Sequence, residues 1–261
     1  MTPPLCIAVD WSGDATERGQ RTRIVAATVR DGDVVSVTAG RTRAEVAAWL
    51  TAQARVTDAP LLVGLDFSFS VPAWFARAHD CHSIAAVWQL VAERGDAWLR
   101  ACEPPFWGRA GTRCTLEAAD RFRACEHRLR AAGRQPKSVF QIAGAGAVGT
   151  GSLRGMPWLT WLRAHDFAIW PFDAPGARTA FEVYPSLYAK VATNDAAGRA
   201  AHLESVPASV LGPCERAAAI ATDDAFDAVV SALAMWDRRD ALLASPRATD
   251  AVTAIEGAVW V

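Results

Sequence analysis

Two short apolar runs in the first quarter of the chain each end on an aspartate: Leu5 to Val9 before Asp10, and Leu61 to Leu65 before Asp66. Continuous apolar residues, rather than alternating ones, predict strands covered on both faces, as in the middle of a sheet packed between helices. Between the two runs, Arg23 to Val29 is rich in β-branched residues, and Asp31-Gly32 is a two-residue hairpin signal leading into Val34, Val35 and Val37. A three-stranded meander is the expected result. Thr42 and Glu45 have capping-box spacing, and Val46, Trp49 and Leu50 supply the apolar stripe of the helix that follows. The predicted opening order is strand, strand, strand, helix, strand.

From about Pro72 to Lys137 the pattern turns helical, near Ser83 to Ala101 and Leu116 to Ala132, around a Pro/Gly-containing loop from Glu103 to Gly111. It predicts a helical insertion, residues 72–137, within one domain spanning residues 1–261. A strand-like Ser138 to Ile142, a glycine-rich turn and a short helix from about Leu159 to Arg163 come next. Strand-like Phe167 to Trp170 and Thr179 to Val183 follow, and a helix from Asp223 to Trp236 closes the core. The expected class is α/β, a mixed sheet flanked by helices.

Composition sets limits on this picture. A chain of 261 residues that is 51% apolar can bury a sizeable core without staples. The six cysteines contain no CxxC pair, which fits buried thiols in a reducing cytosol better than a disulfide framework. The N-terminal MTPPLCIAVDW lacks the basic and long apolar regions of a secretory leader, and no stretch approaches a membrane span. A soluble, cytoplasmic protein with no membrane association and no obligate protein partner is the expectation. The net charge of −1 gives no global attraction for nucleic acid, so any such attraction must be local.

An aspartate at the carboxyl end of a buried strand is costly unless it is solvated, paired or bound to a cation. On its own, Asp10 in Asp10-Trp11-Ser12-Gly13 also reads as a turn or capping carboxylate. Asp66 in Gly64-Leu65-Asp66-Phe67-Ser68 repeats the arrangement, and parallel neighbouring strands would bring both carboxylates to one sheet edge. In Thr222-Asp223-Asp224-Ala225-Phe226-Asp227-Ala228, Asp223 and Asp224 stand at a helix start, where a simple capping role suits at least one of them. Asp227 shares a face with Asp224 in an otherwise apolar helix and needs a partner. Glu182 is a fourth acid in a strand-like run, although on an edge facing solvent it would carry no meaning. Carboxylates converging on one edge repel one another, and a hard divalent cation, Mg2+ or Mn2+, relieves that repulsion.

The segments Ala8-Val9-Asp10-Trp11-Ser12-Gly13, Gly64-Leu65-Asp66-Phe67-Ser68-Phe69-Ser70, Phe181-Glu182-Val183-Tyr184-Pro185, Asp223-Asp224-Ala225-Phe226-Asp227-Ala228 and Ile255-Glu256-Gly257 together resemble a family of predicted nucleases of ribonuclease H-like fold, long labelled a domain of unknown function. The last aspartate motif is also similar to that of Holliday-junction resolvases. The resemblance implies a ribonuclease H-like sheet and a metal-dependent nuclease in which Asp10, Asp66, Asp227, Asp224 and Glu182 are catalytic. Asp10, Asp66, Asp227 and Glu182 would be its metal ligands. The alternatives are a non-catalytic nucleic-acid- or protein-binding member of the fold and an actin-like phosphotransferase.

Three further signals compete. Gly144-Ala145-Gly146-Ala147-Val148-Gly149 matches GxGxxG, but Gly151, Gly155 and Pro157 interrupt the helix that should begin there. These glycines are expected to allow close backbone packing, or to let amides such as those of Gly146 and Gly149 touch a substrate phosphate. The histidines and cysteines between His79 and His127 match no compact zinc spacing. Between Arg100 and Lys137, nine basic residues face four acidic ones, a balance of +5 that leaves −6 for the rest of the chain. With Trp107 on the loop, Arg109 and Arg113 would offer DNA or RNA a surface for phosphate and unpaired bases, unless this is only a solvated helix face.

Overall fold

The computed structural model describes residues 2–189, 191 and 195–260. Its elements run β1 (Leu5–Asp10), α1 (Glu17–Arg23), β2 (Val25–Arg30), β3 (Asp33–Thr38), α2 (Arg43–Val56), β4 (Leu61–Asp66), α3 (Ala73–Ala78), α4 (Ile84–Ala101), α5 (Ala124–Ala131) and α6 (Gly149–Arg163). They continue as β5 (Ala168–Ile169), β6 (Arg178–Glu182), α7 (Ala196–Leu203), α8 (Pro213–Ala221), α9 (Asp223–Asp237), α10 (Arg239–Leu243) and α11 (Thr253–Glu256), with a 3-10 turn at Pro185–Leu187 after β6. The class is α/β: a mixed six-stranded sheet in the order β3-β2-β1-β4-β6-β5, flanked by helices.

The expected meander is present, with β1 and β2 antiparallel and β2 and β3 antiparallel across the Asp31-Gly32 turn, whose residues have φ of 51° and 96°. The left-handed pair is what a tight hairpin of matching twist requires. Beyond it, β1 pairs parallel with β4, β4 with β6, and β6 with β5. The capping box of α2 also forms, with Thr42 accepting from the Glu45 amide and the Thr42 amide donating to the Glu45 carboxylate.

Each central strand sends alternate residues into two cores. Leu5, Ile7, Val9, Leu61, Val63 and Leu65 pack under α2, α3, α4 and α6; Cys6, Ala8 and Leu62 pack under α9 and its neighbours. Two-sided burial is therefore the reason these strands carry no polar alternation. Gly64 makes the α9 side tight: a Cβ there would lie 2.5 Å from Met235 Sδ and 2.9 Å from Val183 Cγ1. The sheet and α9 approach more closely than a side chain would allow.

Several local expectations are corrected. Arg23 ends a helix, α1, and the strand starts at Val25. The Leu116 to Ala132 segment is helical only over Ala124–Ala131. Ser138 to Ile142 forms no strand; its β-pairing among the described residues is an isolated bridge between Gln141 and Trp107. Most notably, α6 starts at Gly149 and runs unbroken through Gly151, Gly155 and Pro157. Glycine and proline together disfavour an isolated helix by several kcal/mol, roughly 1 per glycine and 3 for proline. Burial reverses the outcome here: Gly155 lies against Phe67, where a Cβ would come within 2.7 Å of the ring, and Leu153, Met156, Leu159 and Leu162 are buried beside it. Among the described residues, no helix is long and apolar enough to cross a membrane.

Candidate active site at the carboxyl edge of the sheet

Asp10 and Asp66 are the final residues of β1 and β4 and are Cα partners in the parallel ladder. By strand alternation both side chains take the face of Cys6, Ala8 and Leu62, beneath α9. On α9, Thr222 is the N-cap and accepts from the Ala225 amide at 3.0 Å, so capping falls to Thr222 and leaves Asp223 and Asp224 in the first turn. Asp227 follows one turn later. Asp223 is exposed, whereas Asp224 and Asp227 are half-buried.

These acids sense one another. Loss of hydration raises Asp10 well above the ordinary carboxyl range, and the charges of Asp66, Asp224 and Asp227 raise it further. Asp66 is pushed up to about 8, by burial first and then by Asp227. Asp227 is pushed up to about 7 by burial and by Asp223 and Asp224, against the lowering influence of Arg199. Contact between the Asp10 and Asp66 carboxyls raises the former and lowers the latter, against the larger effect of burial, which raises both. A second contact joins Asp224 to Asp10.

Glu182 ends β6 but faces the other way. It is the Cα partner of Leu65, not of Asp66, so it shares the face of Ala180 and Leu65. It is only 3% exposed, which excludes the solvent-facing edge position. Its carboxylate accepts from the Phe69 amide at 2.8 Å and from Arg123 Nη1 at 2.8 Å, and it forms a second, very short bond with Arg123 Nη2. Glu182 therefore arrives at the acidic edge with both oxygens engaged.

The Arg123 clasp was not foreseen. Arg123 is fully buried and also binds Glu126 through Nε at 3.0 Å and Nη2 at 2.8 Å, and the Glu256 carbonyl through Nη1 at 3.1 Å. The Glu256 carboxylate accepts from the Ala73 amide at 2.7 Å and the Ala124 amide at 2.5 Å, the first residues of α3 and α5. One side chain thus satisfies two helix N-termini. Nothing local in a run of basic residues marks Arg123 as buried, and Glu256 stood out only through its family motif.

A cleft of about 370 Å3 opens at this edge beside Asp66, and its lining includes Phe67, Ser68, Leu129, Pro136, Lys137 and Tyr184. Arg23 and Lys137 are its cations, and the start of α6, which has no side-chain cap, contributes Thr150 and Gly151. Trp11 and Phe67, the residues after the two aspartates, place their rings 5.0 Å apart in its wall. The loop after Asp10 is held by Arg43, which donates to the Ser12 and Asp14 carbonyls at 2.8 and 2.9 Å, and by Arg154, which donates to the Gly13 carbonyl at 2.5 Å. These clamps carry no sequence signature.

Other expected contacts separate. The Gly149 amide is spent on the Gln141 carbonyl at 2.9 Å, so it has no N–H left for a phosphate. Gly146 has φ of 71° and leaves room for the Lys137 stem, which a Cβ would approach to 2.8 Å. Arg109 and Arg113 are exposed and line neither this cleft nor the basic groove beside it, whereas Trp107 lines that groove.

Residues 9–250 match a family described as "Protein of unknown function (DUF429)". The chain belongs to that family. No curated protein and no solved structure matches it. Within this DUF429 chain the match runs from the end of β1 past α9, so it contains all of the strand-end and helix acids.

Every donor at the Asp10–Asp66–Asp224–Asp227 edge is a carboxylate oxygen, which suits a hard divalent cation and not a thiophilic one. No three His, Cys, Asp or Glu side chains among the described residues stand in a ready-made metal cage. The DUF429 acids instead have raised pKa values, through burial and through one another's charge, as like charges at close quarters do.

Proposed function

We propose that this protein is a divalent-metal-dependent phosphodiesterase acting on nucleic acid, built as one ribonuclease H-like domain with residues 72–137 inserted. The observation that carries the reading is the pairing of Asp10 with Asp66 at the carboxyl edge beneath Asp224 and Asp227, four acids that hold one another's pKa values up. The meander, crossover helix and parallel β4 also fit the ribonuclease H-like expectation.

Asp10, Asp66 and Asp227 would hold Mg2+ or Mn2+, with Asp224 completing the set. Bound there, the ion would supply activation of water and charge stabilisation on the leaving oxygen. The protein's own part is positioning. Arg23 and Lys137 offer positive charge to a phosphodiester, and the uncapped start of α6 adds the positive end of a helix dipole. The Trp11–Phe67 wall keeps one side dry. Glu182 fixes the Phe69 turn beside Asp66 by accepting its amide directly, and Arg123 holds that carboxylate in place.

Calorimetric titration with Mg2+ and Mn2+, run beside cleavage assays on single-stranded DNA, RNA and branched substrates with and without chelator, tests this. Expected are metal binding lost in Asp10→Asn and Asp66→Asn, and metal-dependent cleavage lost with it. A protein that binds neither metal, or an Asp10→Asn variant that cleaves as well as wild type, would sink the reading.

A further inference from the structure

Beside the acidic cleft lies a second, larger groove of about 670 Å3. Its charged lining is Arg121, Arg130, Arg134 and Lys137, with no carboxylate among the lining residues. Five other arginines (21, 123, 154, 163 and 178) pair with carboxylates, but none of these four cations pairs with a described acid. In a chain of net charge −1, four unneutralised cations along one groove are a local anion site. Two aromatic residues stand among them. Phe122 carries the Arg130 guanidinium over its ring at 4.5 Å, and Trp107 is half-buried at the groove wall.

The two depressions share Pro136 and Lys137. That saddle is fixed on both flanks: Tyr184 Oη donates to the Gln135 carbonyl at 3.1 Å, and Ser138 Oγ donates to the Arg121 carbonyl at 2.6 Å. A ligand lying in the groove therefore meets Lys137 at the crossing and the acidic edge beyond it. A cavity of this size takes a ligand much larger than one phosphate. Cations with aromatic side chains among them suit a chain of phosphates whose bases are unpaired and free to stack.

We propose that the groove formed by Arg121, Arg130, Arg134, Trp107 and Phe122 is a track for single-stranded nucleic acid, leading across Lys137 into the acidic cleft. What then happens to the strand rests on the phosphodiesterase reading; its binding does not.

Fluorescence anisotropy with a labelled single strand of about 12 nucleotides, a length within the usual site sizes, isolates the groove when done in chelator. Arg130→Ala/Arg134→Ala should weaken binding about 10-fold or more, and the slope of log Kd against log salt should fall by roughly 1.4, about 0.7 for each phosphate contact removed. Trp107→Ala should cost about 5-fold or more by loss of stacking. A duplex of equal length should bind at least about 10-fold more weakly, and Arg130→Lys/Arg134→Lys should keep most of the salt slope. Wild-type affinity in Arg130→Ala/Arg134→Ala would overturn the proposal. So would a poly-glutamate peptide that binds as tightly as the oligonucleotide, which would make the groove a site for acidic protein. Loss of Mg2+ and Mn2+ binding with strand binding intact would fault the catalytic reading alone.

Discussion

Asp10 and Asp66 occupy the last rung of the β1–β4 ladder as Cα partners, and burial together with the neighbouring acids raises the pKa of both. Those raised values have a measurable consequence. Asp66 and Asp227 ionise at about 8 and about 7 in the fold, against an ordinary 3.8, so between those limits the folded state holds protons that the unfolded chain has released. Stability of the metal-free protein must then fall as pH rises from about 4 to about 8. Thermal melts in chelator should show this decline, and Asp66→Asn should flatten it, raising Tm at pH 8 by at least about 2–4 °C, the effect of about 1 kcal/mol in a chain of this size. Mg2+ or Mn2+ should restore stability at pH 8 and do little at pH 5, because the cation competes with the protons. Parallel pH profiles for wild type and Asp66→Asn would show that Asp66 holds no proton through this range.

Glu182 can be separated from the proposed metal set. With its oxygens on Arg123 and the Phe69 amide, Glu182→Gln breaks a buried ion pair while keeping one acceptor. Breaking such a pair costs about 3–5 kcal/mol, and the retained amide oxygen puts the expectation near the lower end. Denaturant unfolding should register that loss while calorimetry gives a metal affinity within about threefold of wild type. The reverse pattern, intact stability and a metal affinity down tenfold or more, would make Glu182 a ligand.

Glu256 carries a comparable load for α3 and α5. Its two carboxylate oxygens accept one from the Ala73 amide and one from the Ala124 amide, at 2.7 and 2.5 Å. Glu256→Ala should cost about 2–4 kcal/mol, two charge-assisted caps together. Hydrogen exchange should place the damage in α3 and α5 and spare α9. Uniform loss of protection across the sheet would point to a different role.

The strand ends and α9 were legible because a carboxylate closing an apolar run, or breaking an apolar helix, is a local conflict that sequence displays. Glu182 looked equivalent for the same reason. Its difference lies in register: β6 pairs Glu182 with Leu65, and a one-residue offset in a ladder of period two reverses the face. The start of α6 was hidden because Gly149, Gly155 and Pro157 argue against a helix locally, while the packing of Gly155 on Phe67 exists only in three dimensions. Arg123, Arg43 and Arg154 were illegible for a related reason. An arginine that will be buried or will clamp a loop looks the same in sequence as one on a solvated surface.

Gly64 links packing to the site. It lies on the same face as Asp66, two residues before it, where α9 comes so near that a Cβ would meet Met235 Sδ at 2.5 Å and Val183 Cγ1 at 2.9 Å. The methionine can shift, but it is fully buried, and Val183 is β-branched and stiff. Gly64→Ala should therefore push α9 outward rather than be absorbed, at an overpacking cost of about 1–3 kcal/mol. Because Asp224 and Asp227 ride on α9 while Asp10 and Asp66 stay with the sheet, the same displacement should weaken Mg2+ or Mn2+ binding by about tenfold, roughly 1.4 kcal/mol. Adding Met235→Ala should return part of both losses, a coupling that a double-mutant cycle reads directly. If Gly64→Ala lowered stability yet left metal affinity unchanged, the acids of α9 would not belong to the site.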